Sequence, residues 1–110
     1  FGYRYVNASR ATLAFTRYPP QTCVFELDGP WSDGTRAFYR RMWNAMGQSG
    51  IPHTFHWGKI HELDADSVKQ RYGDAAVKAW CDARRELFKT SPESAQVFAS
   101  PWLRGLGMDT

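Results

Sequence analysis

Glycine and proline punctuation constrains this chain more than any other feature. Pro19-Pro20, Gly29-Pro30, Gly47 with Gly50, Gly58, Gly73, Pro101, Gly105 and Gly107 cut its 110 residues into short pieces. Proline lacks the backbone donor and fixes φ, and glycine loses the most entropy inside a regular element, so each of these positions resists helix or strand. Only short strands and helices of a few turns fit between them. No apolar run approaches the roughly 20 residues that a membrane span needs.

The pieces differ in period. Residues 1–6 alternate and read as a strand, with Tyr3 and Tyr5 on one side and Arg4 and Val6 on the other. Residues 13–18 read as a second short strand or a single helical turn, ended by Pro19-Pro20. Residues 22–28 form a clear period-two run, with Cys23, Phe25 and Leu27 on one face and Val24, Glu26 and Asp28 on the other. Ser32-Asp33 then supplies a cap for a helix through Met46, in which Phe38, Met42 and Met46 recur at spacing four beside Tyr39 and Trp43. Residues 51–57 read as a returning strand. The strand–helix–strand unit over 22–57 is consistent with parallel neighbours joined by a right-handed crossover, or with a mixed α+β sheet.

The second half is helical. Asp64 caps a short helix to Tyr72, Gly73 ends it, and Asp74 caps the next. There Val77, Trp80, Cys81, Arg84 and Leu87 form a stripe at spacings of three and four, with Lys78 and Asp82 as an i,i+4 pair on the outer face. Residues 97–108 form an apolar tail that packs on something, with a helical turn after Pro101. The fold class expected is α+β: a mixed, mainly antiparallel sheet with helices packed on one face, as a single piece over residues 1–110.

Composition removes several function classes. The apolar fraction of 43% and the aromatic fraction of 15% are those of a globular chain. The net charge of +3 is mild, and Arg10, Arg17, Arg40, Arg41, Arg84 and Arg85 are scattered, so a solvated surface explains them and nucleic acid is not an expected partner. Cys23 and Cys81 are too far apart in sequence for a CxxC pair and are expected to be free, buried thiols. There is no P-loop, GxGxxG or GxSxG.

The residues that suggest chemistry cluster in Pro52-His53-Thr54-Phe55-His56-Trp57-Gly58-Lys59. Gly58 allows close approach and Lys59 places a cation at the end of an aromatic run, either to meet an anionic or polarised group or simply as a snorkelling side chain. His53, His56 and His61 fall within nine residues and invite a metal reading. In a strand, however, the odd spacing of 53 and 56 sends them to opposite faces, so no metal site is expected. Glu26 and Asp28 share a strand face and could divide acid and base roles, or simply face water. Arg4, between Tyr3 and Tyr5, is suited to an anion clamp or to a surface ion pair.

His56-Trp57-Gly58-Lys59 followed by Ile60-His61 resembles the HWGK segment near the C-terminus of FAD-dependent oxidases of the vanillyl-alcohol-oxidase-like superfamily, and the sugar-lactone (aldonolactone) and alditol oxidases among them. Phe98-Ala99-Ser100-Pro101-Trp102-Leu103 resembles that family's Phe-x-Asn-Pro-Tyr-Leu ending, with Ser100 where the family has Asn. The resemblance runs in order over nearly the whole chain. It implies an FAD-dependent oxidoreductase acting on a CH–OH donor, a small alcohol or lactone, of which this chain is the C-terminal substrate-binding (cap) part. The N-terminal FAD-binding domain would lie outside the 110 residues. Lys59 matches the HWGK lysine that faces substrate and flavin, and His56 lies in the same cofactor-facing segment. Arg4 matches an arginine at the flavin ring in a Glu-x-Arg strand. Gly2 replaces the Glu expected to bind substrate hydroxyls, which puts a polyol or lactone substrate in question. Glu26 and Asp28 fall near family positions that face the substrate, the first as a base or orienting group. Membrane-associated and cytoplasmic placements both stay open. The competing expectation is a free-standing α+β binding domain without cofactor.

Overall fold

The computed structural model describes residues 1–110 and contains a two-stranded antiparallel sheet and five helices. In chain order these are β1 (Gly2–Asn7), β2 (Gln21–Glu26), α1 (Asp33–Gln48), α2 (Ala65–Tyr72), α3 (Asp74–Leu87), α4 (Pro92–Val97) and α5 (Pro101–Gly105). The α+β class and the antiparallel sheet are as the sequence implies. The chain divides into two compact units: residues 1–9 with 16–54, and residues 10–15 with 55–110.

In the first unit β1 and β2 pair from Gly2↔Glu26 to Asn7↔Gln21. Alternation decides what each face carries. Tyr3, Tyr5, Cys23 and Phe25 share one face and are all exposed, while Thr22 on the other is buried. Thr22 ties the strand to the preceding loop: its hydroxyl accepts from the Tyr18 N–H at 3.0 Å and donates to the Tyr18 carbonyl at 3.3 Å. Gly29 makes the passage from β2 to α1 possible, because a Cβ there would sit 2.7 Å from Thr35 Cγ2. Ser32 caps α1 by accepting from the Thr35 N–H at 3.1 Å. Of its expected apolar stripe, Tyr39, Met42, Trp43 and Met46 are half-buried, while Phe38 is exposed.

Two expected strands do not form. Residues 51–57 make no ladder: the His53 ring bonds the Ile51 carbonyl locally, and the run ends in a turn at Trp57. Pro52 removes a ladder donor as well. The strand–helix–strand unit therefore does not exist. Residues 13–18 are turn and bend, with the Ala14 N–H closing a turn on Ala11. Cys23 is exposed rather than buried, because it falls on the aromatic face of the sheet; Cys81 is buried.

The second unit holds the core: Val68, Tyr72, Val77, Cys81, Leu106 and Met108, with Leu13, Trp57, Leu63, Ala76, Trp80 and Leu103 packed against it. Local chemistry explains each contributor. Asp64 and Ser67 form a capping box that starts α2 and sets Val68 and Tyr72 inward at spacing four. Gly73, at φ +87°, turns α2 directly into α3, so Asp74 is the first helical residue there and not its cap. Val77, Cys81 and Arg84 bury one stripe of α3, but Leu87, at the end of that stripe, is 74% exposed. Ser91 and Pro92 begin α4, which no sequence period announces because it has six residues. Pro101 begins α5 behind the Ser100 cap, and the chain then returns Leu106 and Met108 to the core.

The tail is thus part of the core. Leu106→Ala should destabilise the chain by about 3 kcal/mol, as for other fully buried leucines. Denaturant unfolding would check this, and a loss under about 1 kcal/mol would place the tail outside the cooperative unit.

Candidate functional site

Residues 56–59 form a tight turn hung from the core by one side chain. The Trp57 indole N–H donates to the Leu13 carbonyl at 2.8 Å, and its ring stacks on Tyr72 at 5.2 Å and meets Trp102 edge-on at 6.1 Å. The turn closes when the Lys59 N–H donates to the His56 carbonyl at 3.1 Å. His56 Nδ1 accepts from the Gly58 N–H at 3.1 Å, and its ring lies 4.7 Å from that of Phe15. A Cβ at Gly58 would make only ordinary contact with the His56 ring, 3.4 Å from Cε1. Trp57 is therefore held inward while Lys59 is left in solvent, without a carboxylate partner in the chain.

Arg4 and Glu26 come together in the other unit. Arg4 Nη2 donates to both carboxylate oxygens, at 2.8 and 2.9 Å. The register explains the pair: Glu26 faces Gly2 across the ladder, one diagonal step from Arg4 on the same face. A Cβ at Gly2 would lie 3.8 Å from Glu26 Oε2. A Glu at position 2 would thus place two like charges directly opposite each other. Glu26, on the neighbouring strand, is the carboxylate that lies opposite Gly2 on this face.

Asp28 does not share a strand face with Glu26. The ladder ends at the Gly2↔Glu26 pair, and Gly29-Pro30 turns the chain away, so Asp28 lies past the strand and is exposed. Arg4, Glu26 and Asp28 belong to one unit, His56 and Lys59 to the other.

The histidines go separate ways, though not for the reason of strand alternation. His53 Nδ1 pairs with the Ile51 carbonyl at 2.8 Å, and His56 serves the turn. His61 Nδ1 accepts from the Leu63 N–H at 3.2 Å, and its ring lies against Phe55 and Trp102, at 6.3 and 5.8 Å. Burial against these rings pushes the His61 pKa down, opposed by a hydrogen bond to the Trp57 backbone. No group of three or more His, Cys, Asp or Glu side chains gathers at one point.

Sequence reasoning missed a second feature. Arg84 counts as one more member of the α3 stripe, yet it is 91% buried among apolar groups at a cleft beside α4. The signal was an arginine at a stripe position. Ser100 caps α5: its hydroxyl accepts from the Leu103 N–H at 3.1 Å. No helix is long and apolar enough to cross a membrane. Compared with protein-family models, with curated proteins and with solved structures, the chain matches none.

His61 gives a testable pH dependence. Its pKa is lower folded than unfolded, so the unfolded chain takes up the proton first as pH falls. The contribution is complete above the ordinary histidine value of about 6.5 and declines as pH drops from there through the folded pKa. The thermal midpoint should fall over that window in the wild type, and less in His61→Phe; identical pH profiles would show that His61 is not the group responsible.

Proposed function

We propose that this chain forms the substrate-side part of an FAD-dependent oxidoreductase, one that takes a hydride from the CH–OH group of a sugar lactone, polyol or related alcohol. The observation that carries this reading is Lys59: an exposed cation with no ion-pair partner in its own chain, set on the turn at 56–59 whose tryptophan packs against the core. An exposed, unpaired ammonium on such a turn is suited to meet negative charge that arrives from elsewhere.

The residues fit the cofactor unequally. Lys59 is the group that would face the flavin and the substrate oxygen, and His56 would flank it. Arg4 would lie at the ring as a guanidinium already shared with Glu26. Bound flavin supplies the hydride acceptor. Lys59 would hold the substrate oxygen where it gains negative charge as its O–H proton leaves, before that charge is drawn into the new C=O bond as the hydride departs; a fixed cation in a dry site stabilises such charge more than water does. Glu26 takes the hydroxyl-binding role that Gly2 lacks, either orienting the substrate or accepting its proton, and Arg4 holds that carboxylate in place. Asp28, beyond the strand, is left to contact a substrate's outer hydroxyls.

A free-standing α+β binding domain is the second reading, and the self-contained core of the second unit favours it. The two separate cleanly. On the oxidoreductase reading, the reading frame that leads into residue 1 encodes a Gly-rich FAD-binding domain and the whole protein is yellow. In that protein Lys59→Met should slow anaerobic flavin reduction by at least about tenfold, a barrier change near 1.4 kcal/mol, with flavin content kept. Flavin reduction at the wild-type rate in Lys59→Met would remove the assignment.

A further inference from the structure

Beside α4 the C-terminal half of α3 borders a cleft of about 670 Å³, whose walls include Trp80, Leu87, Phe88 and Phe98. The Phe88 and Phe98 rings stack at 5.6 Å. The cleft is open to solvent on one side, and its lining is mostly apolar with a few placed polar groups, the composition of small-molecule sites. Here the placed group is Arg84.

Its surroundings leave Arg84 short of a counter-charge. The side chain is 9% exposed. Nη2 donates to the Ala95 carbonyl at 2.6 Å, the guanidinium lies 4.9 Å over the Phe88 ring, and Nε has no hydrogen-bond partner. The nearby acids are engaged elsewhere: Asp82 by Lys78 and Arg85, Glu86 by Lys89, and Glu93 by the Ser91 hydroxyl. A guanidinium stays charged at any ordinary pH. A buried charge normally requires a paired charge, because desolvation alone costs several kcal/mol. One carbonyl and one ring face satisfy only part of that need.

We infer that the α3–α4 cleft binds a small amphipathic carboxylate, an aryl or alkyl acid, with its apolar body on Leu87, Phe88 and Phe98 and its carboxylate facing Arg84. Charge complementarity selects the head group: a planar carboxylate matches the guanidinium better than a neutral oxygen does. The apolar walls select the body. The site lies wholly within the second unit and does not depend on the flavin reading.

Two matched probes test it on the 110-residue chain: 2-naphthoate, and the neutral 2-naphthylmethanol of nearly the same shape. Both are titrated by NMR, following the Trp80 indole and the amides of α3 and α4. The expected result is that naphthoate binds at least about tenfold tighter than the alcohol, with shifts confined to the cleft. Arg84→Met should abolish that preference, and Arg84→Lys should restore part of it. Leu87→Asp, at an exposed position of the wall, should weaken both probes through the lost apolar contact, and naphthoate at least about threefold more than the alcohol because the new charge opposes only the acid. Equal affinity for the two probes, shifts outside the cleft, or no binding of naphthoate would overturn the inference. If Arg84→Met does not fold, Leu87→Asp decides: an unchanged ratio of the two affinities in that variant also overturns it.

Discussion

The Trp57 side chain ties three segments of the second unit together. Its indole N–H reaches the Leu13 carbonyl and so fastens residues 10–15 to a unit otherwise built from residues beyond 54. Its ring covers Tyr72 at the end of α2 and meets Trp102 in α5. Three segments distant in sequence therefore converge on one side chain. An aromatic ring of this size contributes a large apolar area, and its single donor is satisfied by the loop carbonyl. The turn at 56–59 takes its position from this anchor, so the exposure of Lys59 follows from the burial of its neighbour two residues earlier.

The same dependence explains what was legible in the sequence and what was not. Helices with local start signals were readable: Ser32 before α1 and Asp64 with Ser67 before α2 determine their own boundaries. The strand over 22–28 was readable but two residues too long, since its end depends on where the partner strand runs out. Residues 51–57 failed outright. An alternating aromatic run specifies a strand only if a ladder is available, and here proline and a histidine–carbonyl bond used the backbone locally instead. The fate of Cys23 followed from a face whose burial no local pattern fixes, because a period of two says which residues share a side and not which side is covered.

Of the candidate site, Lys59 and the Gly58 turn were visible as composition and spacing. The Arg4–Glu26 pair was not, because it depends on cross-strand register, which neither strand carries alone. Register also changes the meaning of Gly2. Read along the strand, glycine there is a departure from the Glu-x-Arg pattern that the sequence resembles. Read across the ladder, it is a position opposite Glu26 that sets no second negative charge beside the Arg4 pair.

Three cations show how compensation sorts possible roles. Arg4 is paired and exposed, so its pair contributes between about 0 and 1 kcal/mol to stability and its charge is largely spoken for. Lys59 is exposed and unpaired; at 4 Å in water it would attract a unit anion by only about 1 kcal/mol, so it gains force only where something covers it and excludes water. Arg84 is already covered. At an effective dielectric near 20 the same anion at 4 Å gains about 4 kcal/mol, before its own desolvation is subtracted. Arg84 therefore needs no further domain to become a strong site, only an anion apolar enough to enter, whereas Lys59 needs a partner surface to close over it. The oxidoreductase role proposed for the first unit and the turn thus depends on a further domain, and the carboxylate site proposed in the second unit does not.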